Sequence, residues 1–240
     1  MLIAENINKI EELIQKACDS AGRKRGEITL MGVTKFCPVE KIKEAYNCGI
    51  RCFGESRVKE AAEKFLNFKN DFIGAELHLI GSLQRNKVKQ AVVHFDCIQS
   101  IDRNELIDEL ARHSHLRNNP KDPDDQANLS VLIELRTGED SKSGYATLDD
   151  LFKAAELLMK TGSLIPCGLM TMAPFTGDTR LIRESFRKLV KAQNELKKRF
   201  PLKGIGRNWN ILSMGMSNDF TIAIEEGSTL LRIGSAIFKD

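Results

Sequence analysis

Short apolar segments alternate with helical patterns along this sequence, and that alternation restricts the fold more than any other feature. Eight segments have the length and side chains of buried strands, at residues 28–34, 50–53, 77–80, 96–100, 130–135, 164–170, 210–214 and 230–233. Helical patterns lie between them, near residues 38–48, 55–66, 84–93, 103–115, 147–161, 179–199 and 217–226. Repeated strand–helix units are typical of parallel sheets. Eight units in 240 residues predict an α/β fold, a closed (β/α)8 TIM barrel forming one domain over residues 1–240.

The residues before the first strand predict one extra helix. Apolar residues recur there at helical spacing, with charged residues between them: Ile3, Ile7, Ile10, Ile14 and Ala17. This pattern is typical of an amphipathic surface helix and not of a signal peptide. No segment is long and apolar enough to span a bilayer, so we expect a cytoplasmic protein without a membrane partner.

An open, doubly wound sheet is the alternative fold. Such sheets usually carry a glycine-rich phosphate loop after the first strand. Here the residues after the first strand read TKFCP, at 34–38, and contain no glycine. The barrel is therefore the favoured prediction.

The balance of charge argues against nucleic acid as a partner. Lys and Arg number 36 against 33 Asp and Glu, so the net charge is only +3. A chain that binds nucleic acid or an anionic membrane usually carries a larger excess of basic residues. The six cysteines and four histidines form no metal-ligand motif, so we expect no metal site and reduced thiols.

The loops after the last two strands predict a phosphate site. The carboxyl ends of barrel strands form one rim, where active sites are built, and the loops after strands seven and eight often bind phosphate. Here these loops are rich in glycine and serine: Ser213, Gly215, Ser217, Gly234 and Ser235. A helix starting near Ser217 would direct free N–H groups at the same place. The alternative is ordinary turn chemistry, with Ser217 as a helix N-cap.

Two basic residues in strand-like segments add to this prediction. Arg232 lies in an apolar segment two residues before Gly234, where a buried guanidinium needs a partner. Lys35 follows Met31 and Val33 in the strand alternation, and an amine held among apolar groups is a better nucleophile because its pKa falls. The alternative is that Lys35 only reaches out to solvent. Phosphate donors, an arginine and an amine at one rim indicate a phosphorylated aldehyde, of which pyridoxal 5′-phosphate (PLP) is the common example.

Eight short motifs, in order along essentially the whole chain, carry a resemblance to a known family. They are VTKF (33–36), FGES (53–56), HLIGSLQRNK (78–87), SIDR (100–103), SKSG (141–144), GLMTM (168–172), LSMGMSND (212–219) and LRIGSAIF (231–238). With these motifs the chain resembles the YggS/PROSC group of PLP-binding, or PLP homeostasis, proteins. The barrel of that group is similar to the N-terminal domain of alanine racemase.

The resemblance implies a role for each candidate residue. Lys35 would carry PLP as a Schiff base, and Ser213, Ser217, Gly234 and Ser235 would hold its phosphate. Arg232 would face the pyridine nitrogen and, being protonated itself, would leave that nitrogen unprotonated. The sequence departs from the family at Ser56-Arg57, where Asn-Tyr is usual, at Ser82 in place of proline, and at Phe36 in place of a small polar residue.

The resemblance also bears on whether the protein is an enzyme. Racemases of the related type need a second base, a tyrosine from a C-terminal β domain, whereas this chain ends at Asp240. Tyr145 is the one tyrosine near the rim. We therefore expect no catalytic residue and a monomer that stores PLP or passes it to apo-enzymes, affecting amino-acid metabolism indirectly. A weak amino-acid racemase is the alternative, and a plain scaffold would leave Lys35 and the rim glycines unexplained.

Overall fold

The structure, a computed structural model, describes residues 2–117, 129–139, 143–201 and 209–239. Ser141 and Lys142 of the SKSG motif therefore lie outside the described residues. The strands are β1 (Thr29–Val33), β2 (Cys52–Glu55), β3 (Glu76–Leu79), β4 (Cys97–Ile101), β5 (Leu129–Glu134), β6 (Leu164–Met170), β7 (Ile211–Ser213) and β8 (Leu230–Ile233). The helices are α1 (Leu2–Ser20), α2 (Val39–Asn47), α3 (Val58–Lys64), α4 (Phe68–Asp71), α5 (Val88–His94), α6 (Asn104–His113), α7 (Leu148–Thr161), α8 (Thr179–Arg199), α9 (Phe220–Glu225) and α10 (Ser235–Phe238).

The eight strands form a closed parallel barrel, which confirms the predicted fold. Each strand pairs with the next along the chain, and β8 pairs with β1 to close the sheet. In that closing pair Met31 lies opposite Arg232, so the first and last strands run side by side. Because all strands are parallel, their carboxyl ends lie on one rim. The order of the chain thus brings the turns after β1, β7 and β8 together.

The main core lies between the barrel and its helices. The predicted N-terminal helix is α1, and its Ile3, Ile7, Ile10 and Ile14 are all buried there. This helix packs against α2, α9 and α10, and Asn6 Nδ2 donates a hydrogen bond to the Ile237 carbonyl at 3.1 Å. Burying one isoleucine is worth about 1.5–3 kcal/mol, so this stripe holds α1 on the barrel.

Inside the barrel the apolar side chains form two separate clusters. One cluster contains Met31, Val33, Cys52 and Leu230, and the other contains Cys97, Leu132, Cys167 and Met170. These residues alternate along their strands with side chains that face the helices, as the pleat requires. Polar side chains also lie inside the barrel, and three of them, Ser213, Gln99 and His78, connect Arg232 with the opposite end.

All predicted strands lie within two residues of observed ones, whereas the helices predicted to begin near 55, 84 and 217 begin three or four residues later, at Val58, Val88 and Phe220. The second strand was predicted at 50–53 but continues through Gly54 and Glu55, because the Glu55 carboxylate is buried against hydrogen-bond donors and need not reach solvent. The helix predicted near 217 begins at Phe220, because residues 217–219 form a turn. In the described part of the chain, no helix combines the length and hydropathy that a bilayer span requires.

Candidate functional site

The turn after β1 presents Lys35 at the rim. The strand ends at Val33, Thr34 is fully buried, and the Lys35 side chain is exposed. The expectation of an amine held among apolar groups on the strand face is therefore wrong, because the chain already turns at residues 35 and 36. Phe36 has a φ of 62°, a left-handed conformation that is uncommon for a bulky residue. The amine is thus accessible on a sharply bent turn.

A buried cluster fixes the backbone at the start of this turn. Thr34 Oγ1 donates to Glu55 Oε1 at 2.7 Å, and Lys64 Nζ donates to the same oxygen at 2.6 Å. Lys64 Nζ also donates to the Thr34 carbonyl at 2.8 Å. A buried carboxylate paired in this way resists displacement, since breaking the pair leaves a charge without compensation. Sequence reasoning missed Glu55 and Lys64 as supports for Lys35, although Glu55 stands in the FGES motif.

The loops after β7 and β8 bring two serine hydroxyls together at the rim. Ser235 Oγ lies 3.1 Å from Ser217 Oγ, and both side chains are at least partly accessible. Two glycines allow this close approach. Gly215 has a φ of 97°, and a Cβ there would lie 2.7 Å from the Ala223 Cβ. A Cβ on Gly234 would lie 3.3 Å from the Val33 Cβ, which places this loop against the end of β1.

The anion-binding features of this corner come from turns and not from a long helix. The helix α9 has six residues, starts after Asp219, and leaves Ser217 outside it. Ser217 is therefore not an N-cap, and its hydroxyl is free of that role. The helix α10 is also short and starts directly after Gly234. Backbone N–H groups of the two glycine turns, together with the two hydroxyls, form the donor set that could hold a phosphate.

Arg232 lies below this corner, inside the barrel. Its side chain donates from Nη1 to Ser213 Oγ at 2.7 Å and from Nη2 to the Thr171 carbonyl at 2.8 Å. Burial lowers the pKa of Arg232 to about 10, although the negative charges of Asp219 and Glu134 act in the opposite direction. The guanidinium therefore stays protonated at neutral pH. The guanidinium group is a hydrogen-bond donor whose orientation is fixed by its bonds to Ser213 and Thr171, at the carboxyl ends of β7 and β6.

Ser213 lies apart from Ser217 and Ser235, the other two serines predicted to bind phosphate. It is fully buried, accepts the hydrogen bond from Arg232, and donates from Oγ to Gln99 Oε1 at 2.6 Å. Its side chain faces the barrel interior, whereas Ser217 and Ser235 lie at the rim. The structure thus groups Lys35, Ser217, Gly234 and Ser235 around the opening, and groups Ser213 with Arg232 underneath.

Acidic groups near Arg232 were missed in the sequence. Asp219 and Glu134 are both buried, and both act on the charge of Arg232. Glu134 ends β5 and accepts a hydrogen bond from Ser143 Oγ at 2.7 Å, while its Oε2 has no hydrogen-bond partner among the described residues. Burial raises the pKa of Glu134 above its ordinary value. The sequence does contain one signal for Glu134, because a carboxylate stands there in the otherwise apolar segment at residues 130–135.

Tyr145, the tyrosine near the rim, is buried and bonded to a neighbouring side chain. Its hydroxyl donates to Asn104 Oδ1 at 2.8 Å, and its ring is buried. Burial is the largest cause that raises the pKa of Tyr145, and the nearby Asp102 and Glu105 add to it. A tyrosine that holds its proton so firmly, and that is already bonded to a side chain, is a poor general base.

The residues present fit the chemistry of PLP. Ser217, Ser235 and the glycine turns offer neutral donors for a phosphate, Arg232 offers a cationic donor for a ring nitrogen, and Lys35 offers an amine for an aldehyde. The close contact between Gly234 and Val33 shows that the phosphate corner borders the strand that carries Lys35. The donors and the amine at this rim are therefore chemically suited to a phosphorylated aldehyde.

Comparison with known proteins agrees with this chemistry. The sequence matches the family described as "Alanine racemase, N-terminal domain" over residues 4–240. It is 36% identical to the pyridoxal phosphate homeostasis protein of Aquifex aeolicus, with 100% of this chain and 99% of that protein covered. It is 37% identical to the protein of the same name in Escherichia coli K12, with 98% of this chain and 95% of that protein covered.

Solved structures show the same fold. PipY of Synechococcus elongatus PCC7942, solved with PLP bound, is 28% identical, with a TM-score of 0.81 and coverage of 98% of this chain and 99% of PipY. An alanine racemase of Clostridium difficile 630 shares the fold at 12% identity and a TM-score of 0.72, and the match covers 98% of this chain and 56% of the racemase. The fold and sequence define an alanine racemase N-terminal type barrel. Within that class, the chain belongs to the family of pyridoxal phosphate homeostasis proteins, which confirms the resemblance seen in the motifs.

Proposed function

We propose that this protein binds PLP at the rim of its barrel, holds it as a Schiff base on Lys35, and acts in PLP homeostasis. The observation that carries the proposal is the meeting of three elements. Strands β7, β8 and β1 are neighbours in the closed sheet. The accessible Lys35 follows β1, the paired hydroxyls of Ser217 and Ser235 follow β7 and β8, and the buried guanidinium of Arg232 comes from β8. The relatives named for PLP homeostasis, and PipY with its bound PLP, support the same ligand.

Each side chain has a distinct task in this proposal. When bound, PLP supplies an aldehyde that reacts reversibly with amines. Ser217, Gly234 and Ser235 bind the phosphate through hydroxyl and backbone N–H groups, because such donors in a turn form a concave site for an anion. Arg232 donates to the ring nitrogen and cannot accept its proton. We assign Ser213 to Arg232 and not to the phosphate, since its Oγ already lies between Arg232 and Gln99.

The state of Tyr145 favours a carrier over an enzyme. Racemisation needs a base on each side of the substrate carbon. The one tyrosine near the rim is buried, bonded to Asn104, and has a raised pKa. The protonated Arg232 also limits how far the ring can act as an electron sink. The residues of this rim therefore bind and orient the cofactor well and supply little for carbanion chemistry.

The same proposal covers the setting in which the protein works. We infer a monomer in the cytoplasm that delivers PLP to apo-enzymes, as one domain over residues 1–240. The cysteines Cys18, Cys37, Cys48 and Cys52 are free thiols, which suits a reducing compartment. The net charge of +3 gives no reason to expect nucleic acid as a partner.

Isotope exchange separates a carrier from an enzyme. The PLP-loaded protein is incubated with L- and D-alanine in deuterated water, and the α-proton is followed by NMR. We expect no exchange above that of free PLP, because Tyr145, the tyrosine near the rim, is already engaged as a hydrogen-bond donor to Asn104. In a parallel assay, we expect the loaded protein to restore activity to an apo-enzyme that requires PLP. Rapid exchange with racemisation, and no transfer, would contradict the carrier function.

A further inference from the structure

A continuous chain of polar side chains crosses the inside of the barrel. It starts at Arg232, whose Nη1 lies 2.7 Å from Ser213 Oγ, and continues with Ser213 Oγ at 2.6 Å from Gln99 Oε1. Gln99 Nε2 then lies 2.8 Å from His78 Nδ1, and His78 Nε2 lies 3.0 Å from Glu76 Oε2. We call Arg232, Ser213, Gln99 and His78 the interior chain. All four side chains are buried.

The interior chain joins the two ends of the barrel. Arg232 and Ser213 lie at the carboxyl ends of β8 and β7, under the candidate cofactor site. Glu76, at the other end, is the first residue of β3 and is half exposed. A cavity of about 670 Å³ opens there, at the amino-terminal mouth, and His78 and Glu76 are among the residues that line it. The apolar side chains of the interior, in the two clusters described above, do not interrupt this polar connection.

The hydrogen bonds of the interior chain all point in one direction. Arg232 has only donors, so Ser213 Oγ accepts from it and uses its own hydrogen to donate to Gln99 Oε1. The Gln99 amide then faces His78 with Nε2, which donates to Nδ1. That leaves the hydrogen of a neutral imidazole on Nε2, where it donates to Glu76. Hydrogen bonds aligned in this way strengthen one another.

A proton on His78 would reverse the alignment. The charged imidazolium donates from both nitrogens, so its Nδ1 would meet the amide donor of Gln99. Gln99 would have to turn its oxygen to His78 and its nitrogen to Ser213. Ser213 Oγ would then accept from both Gln99 and Arg232, and its hydrogen would have to find another acceptor. The change reaches Arg232 although His78 lies near the opposite mouth of the barrel.

We propose that Gln99 couples the protonation state of His78 to the hydrogen bonding of Arg232, so that His78 and Gln99 are positioning residues for the guanidinium at the cofactor site. The proposal rests on the function proposed above in one respect, the assignment of PLP to this rim. It adds that the amino-terminal mouth and the cofactor site are linked. By thermodynamic reciprocity, a ligand that contacts Arg232 must then change the proton affinity of His78.

Several groups around His78 compete over its proton. Burial is the largest influence on the pKa of His78 and lowers it, whereas the contacts of Nε2 with Cys52 and Glu76 act in the opposite direction and together raise the pKa above its ordinary value. The Gln99 amide opposes this, since a donor facing Nδ1 stabilises the neutral ring. The charged groups that line the same cavity are Arg23, Glu27, Glu76 and Lys197. The titration of His78 is therefore poised between opposing contacts, and a change in Gln99 can shift it.

The coupling is measured by NMR titration of the ring nitrogens in protein labelled with ¹⁵N-histidine. The His78 signal is assigned with His78→Gln, and its pKa is determined with and without PLP. A negatively charged ligand that accepts a hydrogen bond from Arg232 weakens the donors along the interior chain and favours the imidazolium. We expect PLP to raise the proton affinity of His78 about fivefold or more, the lower end of common coupling between sites.

Two variants separate the interior chain from direct electrostatics through space. In Gln99→Leu the charge of PLP still acts on His78, but the hydrogen-bond connection is lost, so we expect the change in affinity to fall to about twofold or less. Ser213→Ala breaks the next connection and should give the same loss, which keeps the test available if one variant folds poorly. His94, half-buried in α5 and outside the interior chain, serves as the internal control and should not respond.

The outcomes also distinguish this proposal from the assignment of PLP. An unchanged His78 titration on PLP binding, or an equal response in wild type and Gln99→Leu, would overturn the coupling. Failure of the wild-type protein to bind PLP would overturn the proposed function instead. The interior chain would then be tested without PLP, because Ser213→Ala removes the donor that aligns Gln99 and should raise the proton affinity of His78 about threefold. No change in that variant would reject the coupling on its own.

Discussion

At the scale of single residues, the site depends on charged and polar groups that are buried but almost fully bonded. Arg232 uses its two terminal nitrogens on Ser213 and Thr171, and Glu55 is bonded to Thr34 and Lys64. Such groups cost free energy to bury and are stable only while their partners remain. The Oε2 atoms of Glu55 and Glu134 both lack a hydrogen-bond partner among the described residues, but Glu55 is paired with the Lys64 ammonium, whereas Glu134 is bonded to the neutral Ser143 hydroxyl. The ionised carboxyl group of Glu134 should therefore lower the free energy of unfolding at neutral pH.

Glu134→Gln should stabilise the protein at pH 7. Burial raises the pKa of Glu134 above its ordinary value of 4.5, so the folded state binds the proton more tightly than the unfolded state. The resulting stability is present below about pH 4.5 and is lost as the pH rises through the raised pKa. Gln keeps an oxygen for the bond from Ser143 and carries no charge. We expect about 1 kcal/mol of added unfolding free energy at pH 7, and almost none at pH 4.

Urea unfolding at the two pH values measures this difference. Glu12→Gln, a change of the same chemistry at an exposed position in α1, is the matched control and should show no such pH dependence. A gain of equal size at pH 4 and pH 7 would mean that the charge of Glu134 is not the cause.

At the scale of elements, the glycine turn after β7 shapes the phosphate corner. Gly215 has a left-handed φ of 97°, and a Cβ would come within 2.7 Å of the Ala223 Cβ and 3.0 Å of the Leu231 side chain. Gly215→Ala should cost about 2 kcal/mol of stability, from backbone strain and overpacking together. It should also weaken PLP binding, because the turn that offers the N–H donors must shift.

The control for this element is Gly177→Ala, at a glycine that lies on the same rim, in the loop after β6. A Cβ at Gly177 meets nothing within 4 Å, and its φ is not in the left-handed range. Thermal unfolding and a PLP titration by absorbance are compared for both variants. Similar losses in both would show that Gly215 is not a special position.

The same elements show how far sequence reasoning reaches. The strand positions follow from local apolar patterns, and each predicted strand lies within two residues of an observed one. The sequence does not predict the turn at Lys35, because the apolar pattern of β1 runs up to Val33 without a turn signal. The end of the strand is set by Thr34, whose hydroxyl is bonded to the distant Glu55. The position of Ser213 depends on Gln99, which is 114 residues away in the sequence. No local pattern carries such a contact, so the interior chain could be found only in the folded barrel.

At the scale of the whole molecule, closure of the barrel creates the site. Lys35 and Arg232 are separated by almost the entire chain, and the pairing of β1 with β8 makes their strands neighbours. An open sheet with the same elements would separate them. Closure of the sheet thus places the loops after β7 and β8 beside the turn after β1 that carries the Lys35 amine.

The central claim is that Lys35 carries the cofactor, and reduction of the PLP-loaded protein tests it most directly. Borohydride converts a Schiff base into a stable secondary amine, and peptide mapping by mass spectrometry then locates the added pyridoxyl phosphate group. The account predicts that the added mass lies on Lys35 and is absent from Lys35→Arg, while Lys41→Arg, a change at the nearby lysine in α2, leaves it in place. A modified peptide that lacks Lys35, or no modified peptide at all, would contradict the account.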